Sequence, residues 1–275
     1  MNMGHALEHH LLDHKIIELF SLSGISFALS KHLLTIWIVG LGLLGILSFA
    51  VHGKSDFARI VRHAVEVIVL YLRDEVVEPL LGHDAHKYLH YFLSLFFFIL
   101  GCNYFGLIPT GDILHILGVP FTDVGGTVTG NIAVTAGLSL CALGLIVIGS
   151  VRSLGVGGFL AHFVPIPHDL PLVMKLVLGP LMFVIELIGL VVKIFALTVR
   201  LFANMIAGHI VILGFFSLIF IIGAASQSLG IFAAGPFALF MVTFVNCLEI
   251  LVGLLQAFIF TLLTAVFVGG MLHAH

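Results

Sequence analysis

Long apolar runs alternate with short polar stretches along this chain, and the period of the polar positions changes from one stretch to the next. The run 33–51 carries no charged side chain and has about the length that a helix needs to cross a hydrocarbon core of roughly 30 Å. Between 55 and 80 the pattern becomes helical and two-sided. Asp56, Arg59, His63, Glu66, Arg73 and Asp74 recur near one spacing while Phe57, Ile60, Ala64, Ile68 and Leu72 fill the other face, which predicts an amphipathic helix lying in the membrane interface. Runs at 88–109 and 131–151 predict a second and a third span. The segment between them, 110–130, is rich in glycine and carries Asp112 and Asp123 but no Lys or Arg.

The last two runs are too long to stand upright. As continuous helices, 180–223 and 236–272 would extend about 66 Å and about 55 Å, so they must break or cross the bilayer beyond the usual range of tilt. The pattern predicts two long, steeply tilted helices, over 170–223 and 229–272, forming an antiparallel hairpin. Pro180 fits better near a helix start than in its middle. The fold class expected is an all-α polytopic membrane protein with about five membrane-crossing helices plus one interfacial amphipathic helix. Residues 1–32 form an N-terminal segment ahead of them.

Composition agrees with that class. The chain is 60% hydrophobic and 9% charged, with a mean hydropathy of +1.23, outside the range of water-soluble domains. A net charge of −3, thinly spread, argues against nucleic acid as a partner. Basic residues set the expected orientation: Lys54, Arg59, Arg62, Arg73 and Lys87 follow the first span and Arg152 and Lys175 the third, so those ends face the cytoplasm. The N-terminus is then expected outside and the C-terminus inside. Glu8, Asp13 and Glu18 near the N-terminus argue against a cleaved signal peptide, and the absence of Arg- and Ser-rich transit character favours a bacterial inner membrane. Cys102, Cys141 and Cys247 form no CxxC and read as ordinary buried thiols. His5, His9 and His10 read as solvated rather than as metal ligands. No cofactor and no metal is expected.

Charge is scarce in the final hundred residues, so each charged side chain there stands out. Glu186, Lys193 and Arg200 are spaced by seven, which on a helix gives one stripe drifting about 20° per step. Asn204 extends it by one turn. His209, nine positions from Arg200, points about 180° away at 100° per residue. On the last helix Asn246, Glu249, Gly253 and Gln256 make a second narrow polar seam. Lys193 has two readings, pairing with Glu186 or lining a path. Asn204, Asn246 and Gln256 equally suit interhelical hydrogen bonding. Arg200 is different, because a guanidinium cannot shed its proton to escape burial. It requires a carboxylate. If His209 and Glu249 face each other, that carboxylate must come from another chain. An intramembrane charge of this kind points to the movement of a small ion.

The segment TVRLFANMIAGH (Thr198 to His209), followed by LLQAFIFTLLT (Leu254 to Thr264), resembles subunit a of the rotary F-type ATP synthase. FFFILGCNYFGLIP (Phe96 to Pro109) and TGNIAVTAGLSL (Thr129 to Leu140) are similar to the second and third spans of the same family. The likeness covers roughly residues 85–272, and 88–275 would be the channel domain. It implies a stator subunit without a nucleotide site, beside a ring of c subunits each bearing a carboxylate, together with stator b subunits and, indirectly, the soluble F1 catalytic head. By that resemblance Arg200 separates two offset half-channels. Asn204 and Gln256 match polar positions along the path, Glu186 matches an acidic position on the cytoplasmic side, and His209 with Glu249 match an acid–imidazole pair in exchanged order. Lys193 and Asn246 would also line the path. A proton-coupled secondary transporter is the competing class, disfavoured because the chain shows no pair of matching halves. A purely structural membrane subunit would tolerate loss of the Arg200 charge.

Overall fold

The computed structural model describes residues 15–22, 25–108, 128–162, 172–226, 228 and 230–272. Two short strands, β1 (Lys15–Leu22) and β2 (Ile25–Ser30), pair antiparallel, with Leu22 opposite Ile25 and Lys15 opposite Ser30. The hydropathy pattern did not anticipate them. The segment is too short and too polar for a span, and Ile16, Ile17, Phe20, Ile25 and Phe27 suit a pleated ribbon.

From Lys31 onward the described fold is helical, as expected for an all-α polytopic membrane protein. Helix α1 (Lys31–His52) is followed by α2 (Asp56–Tyr71), a π turn (Leu72–Val77) and α3 (Glu78–Leu81). Then come α4 (Ala85–Leu107), α5 (Ile132–His162), α6 (Leu172–Ala225) and, after a π turn at Gly230–Ala234, α7 (Gly235–Leu272). Five helical stretches among the described residues are long and apolar enough to cross a membrane. One of these takes 56–107 as a single stretch, but the backbone divides it. Gly82 adopts φ +52° at the end of α3, a conformation that costs other residues more, and charged side chains crowd the part before it. Similarly, Gly155 at φ +73° interrupts α5.

The elbow between α1 and α2 is fastened by charge. Arg62 donates to the carbonyls of Ala50 (2.7 Å), Val51 (2.9 Å) and Gly53 (3.2 Å), taking up the acceptors left open where α1 ends. Ser55 caps α2 by accepting from the Ala58 N–H at 3.1 Å. Asp56–Arg59 and His63–Glu66 pair along the polar face of α2, while Phe57, Ile60 and Val67 stay about two-thirds exposed on the apolar side. An amphipathic helix with an open apolar face suits the interface between headgroups and hydrocarbon.

Helix α6 is continuous from Leu172 over 54 residues. Pro180 lies inside it, about two turns from its start and well short of its middle, in keeping with the expected placement near a helix start. Proline there removes one N–H, and a helix in hydrocarbon still keeps its remaining ladder because no water competes for it. At 1.5 Å per residue α6 is about 80 Å long and α7 about 57 Å.

Two compact units are formed by Met1–Ser48, Phe97–Ile132 and Leu201–Ala257, and by Phe49–Phe96, Ala133–Arg200 and Phe258–His275. Within the first, α6 and α7 run antiparallel. Gly223 meets Gly230, the Phe215 and Phe237 ring centroids lie 6.4 Å apart, and Gly208 meets Glu249, so contacts climb one helix as they descend the other. Gly101 of α4 admits Leu43 and Val39 of α1, which lie 3.0 and 3.1 Å from where its Cβ would be. Within the second unit, Gly269 of α7 lies against the Leu80 backbone, and Tyr71 stacks near Phe258 at 5.9 Å.

Candidate functional site: two faces of a long helix

The inward face of α6 is built from Leu197, Thr198, Leu201 and Met205, all buried. Thr198 returns its hydroxyl to the Ile194 carbonyl at 3.0 Å, so this polar side chain is satisfied within its own helix. Arg200 lies on the opposite face and is exposed. Among the described residues no hydrogen bond or ion pair reaches its guanidinium. Its neighbours on that stripe, Ala196, Ala203 and Ala207, are exposed too. Small side chains on both sides leave the guanidinium standing proud of an otherwise shallow surface, to which another helix backbone has close access.

Glu186 and Lys193 share the second unit with Arg200. Their Nζ–Oε1 separation is 3.9 Å and their side chains are 39% and 42% exposed, which makes a loose pair rather than a sealed one. Lys193 also sits over the Phe267 ring, 5.0 Å from its centroid, a cation–π seat on α7. Both contacts suit the structural reading of Lys193.

In the first unit, the carboxyl of Glu249 is pressed against Gly208, the residue immediately before His209. A Cβ at Gly208 would lie 2.7 Å from Glu249 Cδ and 3.1 Å from Cγ. The absence of a side chain at 208 is thus what admits the acid to α6. Glu249 Oε2 is enclosed and finds no hydrogen-bond partner among the described residues. The His209 side chain lies outside the described residues, as do His5, His9 and His10. The polar seam of α7 descends from surface to interior: Asn246 is exposed, Glu249 half-buried, Gly253 and Gln256 buried. Asn204 of α6 is half-buried. The Gln256 amide nitrogen is a second enclosed group without a partner among the described residues.

Three residues beside this seam escaped sequence reasoning. Asn103 of α4, fully buried, donates from Nδ2 to the Gly253 carbonyl at 3.0 Å and accepts at Oδ1 from the Thr129 hydroxyl at 3.0 Å. Tyr104 closes on Gly253 from the same helix. The available signal was an asparagine standing alone in the apolar run 96–108.

Among the described residues no group of three His, Cys, Asp or Glu side chains converges on a point. Cys102 is buried, but Cys141 and Cys247 are exposed, contrary to the expectation of three buried thiols. A thiol is apolar enough to face hydrocarbon as well as a core.

Comparison with known proteins is specific at this point. The family model described as ATP synthase A chain matches residues 33–269. ATP synthase subunit a of Chloroherpeton thalassium is 35% identical, over 96% of this chain and 74% of the relative. ATP synthase subunit a 2 of Chlorobaculum tepidum is 34% identical over 97% and 72%. ATP synthase subunit a of Anaeromyxobacter dehalogenans strain 2CP-1 is 37% identical over 89% of this chain and 58% of its own length. A match along nearly the whole helical portion means that this multi-pass membrane chain belongs to the ATP synthase A chain family.

Proposed function

We propose that this chain is the stator of a rotary ATP synthase and carries protons to and from a ring of c subunits through two offset half-channels that Arg200 keeps apart. The observation that carries the reading is the exposed Arg200 on its alanine-flanked stripe, without a carboxylate partner among the described residues. Several kcal/mol oppose leaving such a charge in hydrocarbon. A partner subunit that brings a carboxylate to this face relieves the cost, and Ala196, Ala203 and Ala207 give it room to approach.

Protons enter from the outside past His209 and Glu249, with Asn246, Asn204 and Gln256 supplying hydrogen-bonding groups along the way. They pass to a ring carboxylate, travel round with the ring, and leave near Glu186 on the cytoplasmic side, where Lys193 lines the exit. The positive charge of Arg200 repels a proton that would cross directly and favours the ionised form of the carboxylate arriving beside it. One charge moving through 100 mV releases about 2.3 kcal/mol, so several protons are needed for each ATP. The chain carries no GxxxxGK[ST] loop, and nucleotide chemistry falls to the soluble F1 head, held by stator b subunits. The N-terminus faces outward and the C-terminus the cytoplasm, in a bacterial inner membrane.

The test is Arg200→Gln in inverted membrane vesicles. ATP-driven proton pumping should vanish while the detached head still hydrolyses ATP. Arg200→Lys should also fail, because an ammonium can give up its proton when desolvated. Normal pumping by Arg200→Gln would refute the barrier.

A further inference from the structure

Helix α7 has a problem of register. Over its 38 residues the surface is apolar nearly all round, so side-chain patterning alone defines neither its rotation nor its depth against α4 and α6. Hydrophobic contact in a membrane is as good with lipid as with protein. Yet one carboxyl on this helix, that of Glu249, must meet one glycine, Gly208, on α6. A turn of α7 by only about 20° would carry a carboxylate some 6 Å off the axis through about 2 Å.

One turn beyond Glu249 the helix is pinned. The Gly253 carbonyl receives the Asn103 amide, and that amide is itself held by Thr129, which stands in the short 3-10 turn Val128–Gly130 ahead of α5. Both polar side chains are fully buried, and a buried single asparagine that selects one register out of many is a recognised device in helical assemblies. Gly253 is what brings the backbone within reach. A Cβ there would stand 3.5 Å from the Asn103 Cβ and 3.4 Å from Tyr104 Cε1.

We propose that Asn103, oriented by Thr129, is a positioning residue that clasps α7 through the Gly253 carbonyl and thereby holds the Glu249 carboxyl at its place against Gly208. Asn103 exchanges no proton itself. The proposal rests on the proton-path role given to Glu249 above. It differs from general interhelical adhesion in one respect: fixing α4 to α7 at this point by any other bond should serve as well as the amide.

The Cβ separation at the clasp lies at the short edge of what a disulfide spans, about 3.5–4.5 Å. The experiment uses the assembled synthase in inverted vesicles, with Cys102, Cys141 and Cys247 replaced by Ala. Asn103→Cys with Gly253→Cys removes the amide. In its reduced form ATP-driven pumping should fall about tenfold, within the on the order of 100-fold loss that a displacement of about 1 Å can cause. Oxidation to the cross-link should restore at least half of the parent rate. No recovery on oxidation, no fall in the reduced form, or failure of the two cysteines to couple would each overturn the clasp. A second variant, Asn103→Leu with Thr129→Val, keeps the volume and leaves neither partner unpaired; it should reach parent levels in the membrane and still pump about tenfold slower, and pumping at the parent rate overturns the positioning role. Glu249→Gln separates the two layers. If it pumps normally, the proton-path reading fails; if it is dead while Asn103→Leu with Thr129→Val pumps normally, only the clasp fails.

Discussion

Gly208→Ala is the smallest change that tests how Glu249 is placed. The added Cβ would collide with Oε1 and stand 2.7 Å from Cδ and 3.1 Å from Cγ of Glu249. Ordinary carbon–carbon contact lies near 3.5–4.0 Å, so the carboxyl must retreat by about 1 Å. Overpacking by one methyl costs typically 1–3 kcal/mol, which Glu249 can escape by a rotamer change because it is only half-buried. Assembly should therefore survive and function should suffer. A displacement of about 1 Å in a proton-transfer group lowers rates by up to 100-fold, and we expect a loss on the order of tenfold. The assay is ATP-driven acidification of inverted vesicles, normalised to the amount of this chain in the membrane. Shortening the acid by one methylene gives the decisive arm, since Gly208→Ala with Glu249→Asp should pump faster than Gly208→Ala alone. Full activity of Gly208→Ala, or a double variant no better than the single one, would show that the Gly208–Glu249 contact does not position the acid.

Two further outcomes follow from the same geometry. Glu186→Gln should lower pumping only partially, because its carboxyl is 39% exposed beside Lys193 and water can take over part of its work; a loss as complete as that of Arg200→Gln, measured in the same vesicles, would contradict an exit-lining role. His209→Glu combined with Glu249→His should recover a substantial part of what each single change loses, as coupled groups titrate as a pair, and strictly additive losses in the double-mutant cycle at several pH values would mean that the two act independently.

Much of the architecture was legible in the amino-acid sequence. Hydropathy is summed along the chain, so the spans near α1, α4 and α5 and the two overlong runs that became α6 and α7 could be read from residue identity alone. The switch to helical two-sidedness after Ser55 marked α2 for the same reason. Charge scarcity likewise singled out Glu186, Lys193, Arg200 and Glu249. Pro180 is tolerated inside the early part of α6 because a helix surrounded by hydrocarbon has no alternative partner for its backbone. The ribbon of β1 and β2 was not legible, because it draws on strand pairing that no single segment displays.

The sequence by itself determined the class, the family likeness, the lone arginine and the stripe on which it stands, since each depends on residue type and on spacing within one helix. Only the tertiary structure decided that Arg200 turns outward between alanines while Leu197, Leu201 and Met205 turn inward. It alone placed Glu249 against Gly208, Lys193 over Phe267, and Asn103 between Thr129 and Gly253. Asn103 and Gly253 are 150 positions apart, and nothing in the periodicity of either helix refers to the other. Such pairs exist only once the chain has folded back on itself and the close approach allowed by a missing Cβ has been taken up by a particular partner.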